Sequence, residues 1–248
     1  MIWGYVLAAA GKKMPAAINA DIATHCHALI TGSSGTGKST GLTYFLGKLL
    51  QENPSIIVYF LDFKASEDFK FLGGYPHYYS GTECMKGLNE YYEQFNRTKG
   101  NHEYKGRKIL IFDEYPAFIN HLTMLDKRNK TKDANDAMQM IAEILMMGRS
   151  LSYGIWIACQ RPDATLFQGG VGGVRENFMI TATFGRISPE HAKMLYPSED
   201  IPNRAYKPGE GVFQQDGKTP TEFFVPRIKD MYRWKQNIKL ILMEHRDI

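Results

Sequence analysis

The run Gly32-Ser33-Ser34-Gly35-Thr36-Gly37-Lys38-Ser39 satisfies the pattern G-x-x-x-x-G-K-[ST], which constrains the chain on both sides of it. Such a loop works only where a strand delivers it and a helix leaves it, because its backbone N–H groups must turn inward onto phosphate oxygens. The apolar residues Ala28-Leu29-Ile30 supply the strand, and the stretch from Thr40 to Leu50 supplies the helix. In that context Gly32 through Thr40 form a phosphate cradle. Lys38 reaches the β- and γ-phosphates, and the Ser39 hydroxyl is a ligand for Mg²⁺. The expected cofactors are therefore ATP and Mg²⁺.

A second motif lies downstream. Ile109-Leu110-Ile111-Phe112 is a continuous apolar run, the pattern of a parallel strand buried on both faces, and it ends in Asp113-Glu114. A carboxylate at the end of a strand can cap the next helix, but after a phosphate cradle this pair has a sharper reading. Asp113 holds the metal through its water shell, and Glu114 polarises the attacking water. An acid placed there favours hydrolysis of ATP over transfer to a small molecule. A further apolar strand, Gly154-Ile155-Trp156-Ile157-Ala158, delivers Gln160 to the carboxyl end of the sheet, where it can sense the γ-phosphate or position water.

The strand pattern, with Ile56 to Leu61 and Phe178 to Phe184 added, predicts an α/β chain with a mostly parallel central sheet. Gly211 to Phe213 and Glu222 to Val225 alternate as a C-terminal hairpin would, and Ile2 to Ala10 reads as a first strand. Helices are expected over Thr82 to Phe95, over Ala137 to Arg149 and from Pro189. The segment from His121 to Asp136 and the basic run from Arg97 to Lys108 read as polar loops, the first of them mobile. A glycine-rich turn is expected over Gly169 to Gly173. At 248 residues the chain has room for a single motor domain: a lead-in over residues 1–24, a core over 25–225 and a helical tail over 226–248.

Composition adds little. A net charge of +4 permits an anionic partner without requiring one. The three cysteines, Cys26, Cys84 and Cys159, lack metal-ligand spacing and read as reduced structural thiols. His25-Cys26-His27 fits ordinary packing on a strand better than a metal site. No stretch is long and apolar enough to span a membrane, and Lys12 and Lys13 follow the apolar N-terminal run, where a signal peptide would have them precede it. The expected location is cytoplasmic, with recruitment to the inner face of the membrane through an accessory protein.

Taken together, the motifs resemble those of the FtsK/HerA superfamily of ring-forming DNA-pumping ATPases. His27-Ala28-Leu29-Ile30-Thr31-Gly32 resembles that family's entry to the cradle, and Asp62-Phe63-Lys64 is similar to its Asp-Pro-Lys strand end, with Phe in place of Pro. The most specific match is Gly148-Arg149 followed by the Gly154 strand and Gln160-Arg161-Pro162. Lys207-Pro208-Gly209-Glu210-Gly211 resembles the family's approach to a final strand.

The resemblance implies a RecA-like three-layer P-loop fold and a homo-oligomeric ring, a hexamer, that threads double-stranded DNA. The compact form looks closer to conjugation coupling proteins or DNA-packaging ATPases than to chromosome-segregation members. It also implies a neighbour's arginine at each nucleotide, for which Arg149 is the first candidate and Arg186 the second. Lys127, Arg128, Lys130 and Lys132 are the candidate DNA contacts. Type VII protein secretion, a P-loop kinase or switch, and a scaffold with decayed hydrolysis are the alternatives; Glu114 and Gln160-Arg161-Pro162 speak against the second, and intact Lys38, Ser39, Asp113 and Glu114 against the last.

Overall fold

The computed structural model describes residues 1–8, 11–101, 106–162 and 174–244. Its centre is a 10-stranded sheet in the order β2-β1-β10-β9-β8-β3-β7-β6-β4-β5. The parallel part comprises β3 (Ala28–Gly32), β4 (Ile57–Asp62), β5 (Tyr78–Ser80), β6 (Lys108–Asp113), β7 (Tyr153–Cys159) and β8 (Ile180–Phe184). The antiparallel part adds β9 (Glu210–Gln215), β10 (Thr221–Phe224), β1 (Ile2–Ala8) and β2 (Lys12–Asn19). Helices cover both faces, the three-layer arrangement expected from the buried apolar strands.

Period-2 alternation divides the core cleanly. In β6, Leu110 and Phe112 pack with α2 (Cys84–Asn101), α3 (Tyr115–Asn129) and α4 (Asp133–Met147), while Ile109 and Ile111 face α1 (Lys38–Glu52) and α6 (Met231–Glu244). A short helix, α5 (Pro189–Leu195), begins at Ser188, whose hydroxyl accepts from the His191 backbone N–H. Trp3, fully buried, sits 4.9 Å from Trp156 and 4.8 Å from Phe45, and so ties the antiparallel part to the parallel core.

Two sequence expectations need correction, and one strand carried no sequence signal at all. The segment from His121 to Asp136 is not a mobile loop. It is the end of α3, a short turn and the start of α4, pinned by Asp126, whose carboxylate accepts from the backbone N–H groups of Asp133 and Ala134 at 2.9 Å each. The ends of the basic run from Arg97 to Lys108 are not a solvated loop: α2 runs on to Asn101, where Thr98 is buried against Tyr153, and Lys108 opens β6 as a buried residue, while residues 102–105 lie outside the described residues. Strand β2 had no sequence signal: its mostly exposed face carries Lys12, Lys13 and Pro15, residues suited to an edge. The expected turn from Gly169 to Gly173 lies outside the described residues.

His27, immediately before β3, is fully buried. Its Nδ1 accepts from the Ile155 N–H at 3.1 Å, so the ring is neutral, with its proton on Nε2. Burial first, and then the Arg149 charge, lower its pKa from 6.5 to about 4. A neutral buried imidazole stabilises the fold fully above pH 6.5, and that contribution drains away as the pH falls toward 4. The total is about 3 kcal/mol, at about 1.4 kcal/mol per pKa unit. Denaturant midpoints taken between pH 7 and pH 4 should therefore fall more steeply for the wild type than for His27→Gln, which cannot take a proton. Parallel curves would show that the imidazole contributes nothing.

Candidate functional site

The cradle occupies the carboxyl end of β3 and the first turn of α1. Gly35 and Gly37 have φ of 80° and 91°, a region that glycine enters without strain. A Cβ at Gly37 would also lie 2.6 Å from the Gly209 nitrogen. That nitrogen donates to the Thr36 carbonyl at 2.8 Å, so the loop from Lys207 to Gly211 braces the cradle from outside. Within the cradle, the Thr36 hydroxyl donates to the Ser33 carbonyl at 2.7 Å.

Parallel register carries the acids to the same place. Asp62 at the end of β4 pairs with Asp113 at the end of β6, which in turn lies beside Ala158 of β7. These strand ends and the cradle enclose a cavity of about 430 Å³. Ser33, Ser34, Gly35, Gly37, Lys38, Ser39 and Thr40 line it, together with Asp113, Glu114, Gln160, Lys64 and Pro208. Of the residues singled out from the sequence for nucleotide and metal, only Gly32 and Thr36 fall outside the lining, as structural parts of the loop. Gln160 was placed there by its strand alone.

The electrostatics of the cavity centre on Lys38. Its Nζ donates to Asp113 Oδ1 at 3.0 Å and to Glu114 Oε1 at 2.9 Å, while Lys64 donates to Glu114 Oε2 at 2.9 Å. Burial works against the Lys38 charge, but the two carboxylates outweigh it and hold the ammonium firmly protonated. Burial would also raise Glu114, yet Lys38 and Lys64 outweigh it and hold that carboxyl below its ordinary range. Asp113 is raised, by burial first, against the pull of Lys38, so Glu114 is the firmer anion of the two.

Glu114 also adopts a left-handed backbone, φ 58° and ψ 38°, as the N-cap of α3. A non-glycine residue there costs about 1–3 kcal/mol, and the N–H of Glu114, donating to the Ala158 carbonyl at 2.9 Å, helps hold it. The strain turns the carboxylate back over the cavity.

The donor set suits a hard divalent cation. The Ser39 hydroxyl and the Asp113 carboxylate line one cavity, and oxygen donors of this kind favour Mg²⁺ over softer metals. Two residues outside the expected site also belong to this neighbourhood. Lys64 contacts Glu114 directly, and the only sequence signal for it was its place in the Asp62-Phe63-Lys64 strand end. Asp62 is fully buried and accepts from the Ser66 N–H at 2.7 Å and the Tyr78 hydroxyl at 3.2 Å, while its other oxygen has no partner among the described residues. Burial, with Asp113 adding to it, pushes the Asp62 pKa up to about 6.

Neither arginine lines the cavity. Arg149 is exposed in the short 3₁₀ turn before β7, at the amino ends of the parallel strands. The seven residues of β7 place it roughly 20 Å from the carboxyl ends, at ~3.3 Å per residue. Arg186 follows β8 on the cradle side, exposed, and its Nε donates to Asn203 Oδ1 at 3.4 Å. Lys127, Arg128, Lys130 and Lys132 cluster, exposed, at the end of α3 and the following turn. Among the described residues, none of the four has an ion-pair partner.

No protein-family model matches the chain. The FtsK domain-containing protein YdcQ of Bacillus subtilis (strain 168) is 27% identical over 165 residues, which are 64% of this chain and 31% of that protein. The chain therefore spans well under half the length of this curated relative. Among solved structures, the pCW3 conjugation coupling protein TcpA, bound to ATPγS, superposes with a TM-score of 0.68 at 19% identity, over 92% of this chain and 68% of that one. The cytoplasmic domain of the Thermomonospora curvata type VII secretion ATPase EccC gives 0.63 at 16%, over 99% and 31%. The fold is that of P-loop ATPases, and the resemblance to the FtsK/HerA superfamily stands in both sequence and architecture.

Proposed function

We propose that this chain is the ATP-hydrolysing subunit of a ring motor that moves double-stranded DNA, serving the transfer or packaging of a mobile element. The observation that carries the reading is the single cavity in which the phosphate cradle, Asp113, Glu114 and Gln160 meet, in a chain related to an FtsK-domain protein. Lys38 binds the β- and γ-phosphates. Glu114 takes the proton of the attacking water, and Gln160 senses the γ-phosphate. Bound through Ser39 and Asp113, Mg²⁺ would neutralise charge on the phosphates.

Arg149 lies too far from its own cradle to act there, which suits an arginine that serves the neighbouring subunit's nucleotide. Rings doped with Arg149→Ala subunits should lose activity per intact site, and mixing Arg149→Ala with Lys38→Ala should restore part of it, because some interfaces then pair an intact cradle with an intact arginine. Absence of rescue in verified mixed rings would transfer the role to Arg186, which then awaits the same assay.

DNA is favoured over protein cargo by the basic turn. Helix α3 starts beside Glu114 and its last turn carries Lys127 and Arg128, with Lys130 and Lys132 in the turn that follows, so one rigid element runs from the hydrolytic acid to the basic cluster. Changing Lys127, Arg128, Lys130 and Lys132 to Ser should leave basal ATPase intact and remove its stimulation by duplex DNA. The salt dependence of binding should flatten by ~0.9 in log–log slope for each phosphate that the chain no longer neutralises. Unchanged stimulation and slope would sink the DNA assignment for this turn. A second reading, a protein-secretion ATPase, is favoured by the fold match to EccC, and it forecasts no stimulation of the wild type by DNA at all.

A further inference from the structure

Further along α1 from the cradle, a separate cavity of about 330 Å³ opens between α1, α6 and β1. Its walls are aromatic and basic. Tyr44 and Trp234 stack with centroids 6.0 Å apart at 6°, and Tyr5 contributes from β1. The Trp234 indole N–H donates to the Thr43 carbonyl at 3.1 Å, and the ring fits against Gly47, where a Cβ would come within 2.4 Å of it. The indole is thus held in place as one wall.

Lys48, Arg227, Lys229 and Arg233 line the same cavity with a single acid, Asp230, whose Oδ1 is engaged by the Arg233 backbone N–H at 2.9 Å. Among the described residues, none of these four cations is paired with a carboxylate. Tyr44 is only 3% exposed, and its hydroxyl interacts with that of Tyr5 in the same wall. Burial first, and then Tyr5, hold that phenol well above its ordinary pKa.

Four cations and flat aromatic walls in one cavity fit a ligand with both a phosphate and a ring. We propose that this cavity is a second ligand site, distinct from the cradle, that takes a nucleotide unit, its phosphate among the cations and its base against the aromatic wall. The unit comes either free, as a mononucleotide, or as part of a single strand, and the two share the same chemistry at the site. Lys48 lies ten residues beyond Lys38 on α1, about 15 Å along the helix, so the two sites sit on one rigid rod.

The test uses the intrinsic signal of the site. Trp3 and Trp156 are fully buried, which leaves Trp234 as the tryptophan at the cavity. The wild-type chain is titrated with AMP, which lacks the β- and γ-phosphates that Lys38 reaches, and separately with a short oligothymidylate. Saturable quenching by AMP identifies the free nucleotide as the source; quenching by the oligonucleotide alone identifies a strand. Either must persist in Lys38→Ala.

Arg227→Glu and Arg233→Glu, changes at two exposed positions of the cavity wall, should each weaken the quenching ligand ~10-fold or more by reversing a charge-assisted contact. Quenching by neither probe, or quenching indifferent to both Arg227→Glu and Arg233→Glu, overturns the proposal. A motor that proves indifferent to duplex DNA would leave this titration untouched, so the two readings fail separately.

Discussion

Lys38→Ala is expected to abolish ATP binding, with affinity falling ~100-fold or more, since charge-assisted hydrogen bonds to the phosphates are worth ~1.5–3 kcal/mol each. The structure adds a second effect. Lys38 lies 3.0 Å from Asp113 and 2.9 Å from Glu114, all three buried, so its loss leaves two like charges side by side with, among the described residues, only Lys64 in contact. Breaking a buried pair from one side costs ~3–5 kcal/mol. The variant should therefore melt earlier as well as fail to bind. Calorimetric titration with ATPγS, beside a thermal melt, separates the two effects, and tight binding by a folded Lys38→Ala chain would overturn the cradle assignment.

Glu114→Gln should keep nucleotide binding and lose turnover by ~10²–10⁴-fold, the usual worth of a positioned base. The amide still accepts a hydrogen bond from water but cannot take its proton. It also loses its ion pairs with Lys38 and Lys64, so nucleotide affinity should be unchanged or somewhat higher as Lys38 is released toward phosphate. Single-turnover hydrolysis with binding measured in parallel is the check. Equal hydrolysis by wild type and Glu114→Gln would remove Glu114 from the chemistry.

The parallel core was legible in the sequence because burial on both faces leaves unbroken apolar runs, as in Ile56 to Leu61 and Ile109 to Phe112. The cradle was legible because its geometry admits few residue types. Other parts carried no such mark. Strand β2 exists because β1 offers it hydrogen bonds, and no hydrophobic pattern announces a strand whose face is mostly in water. The helix end at Asn101 and the tight turn after α3 depend on Thr98 meeting Tyr153 and Asp126 capping α4, tertiary contacts that local polarity conceals. Lys64 was visible only as part of a motif, because its significance lies in reaching Glu114 across two strands.

The pairing of β1 with β10, Tyr5 opposite Phe224, has a consequence for how the molecule comes into being. One edge of β1 pairs with the nearby β2, but its other edge waits for a strand more than two hundred residues further on, and Trp3 cannot complete its place in the core until that strand arrives. Closing so long a loop is entropically slow, and contacts this distant in sequence delay folding more than they add to stability. Of the strands in this sheet, β1 leaves the ribosome before the others and is among the last to be fixed. Until the β9–β10 hairpin emerges, the growing chain carries Trp3 unhoused, the interval in which it is most open to aggregation or to capture by a chaperone.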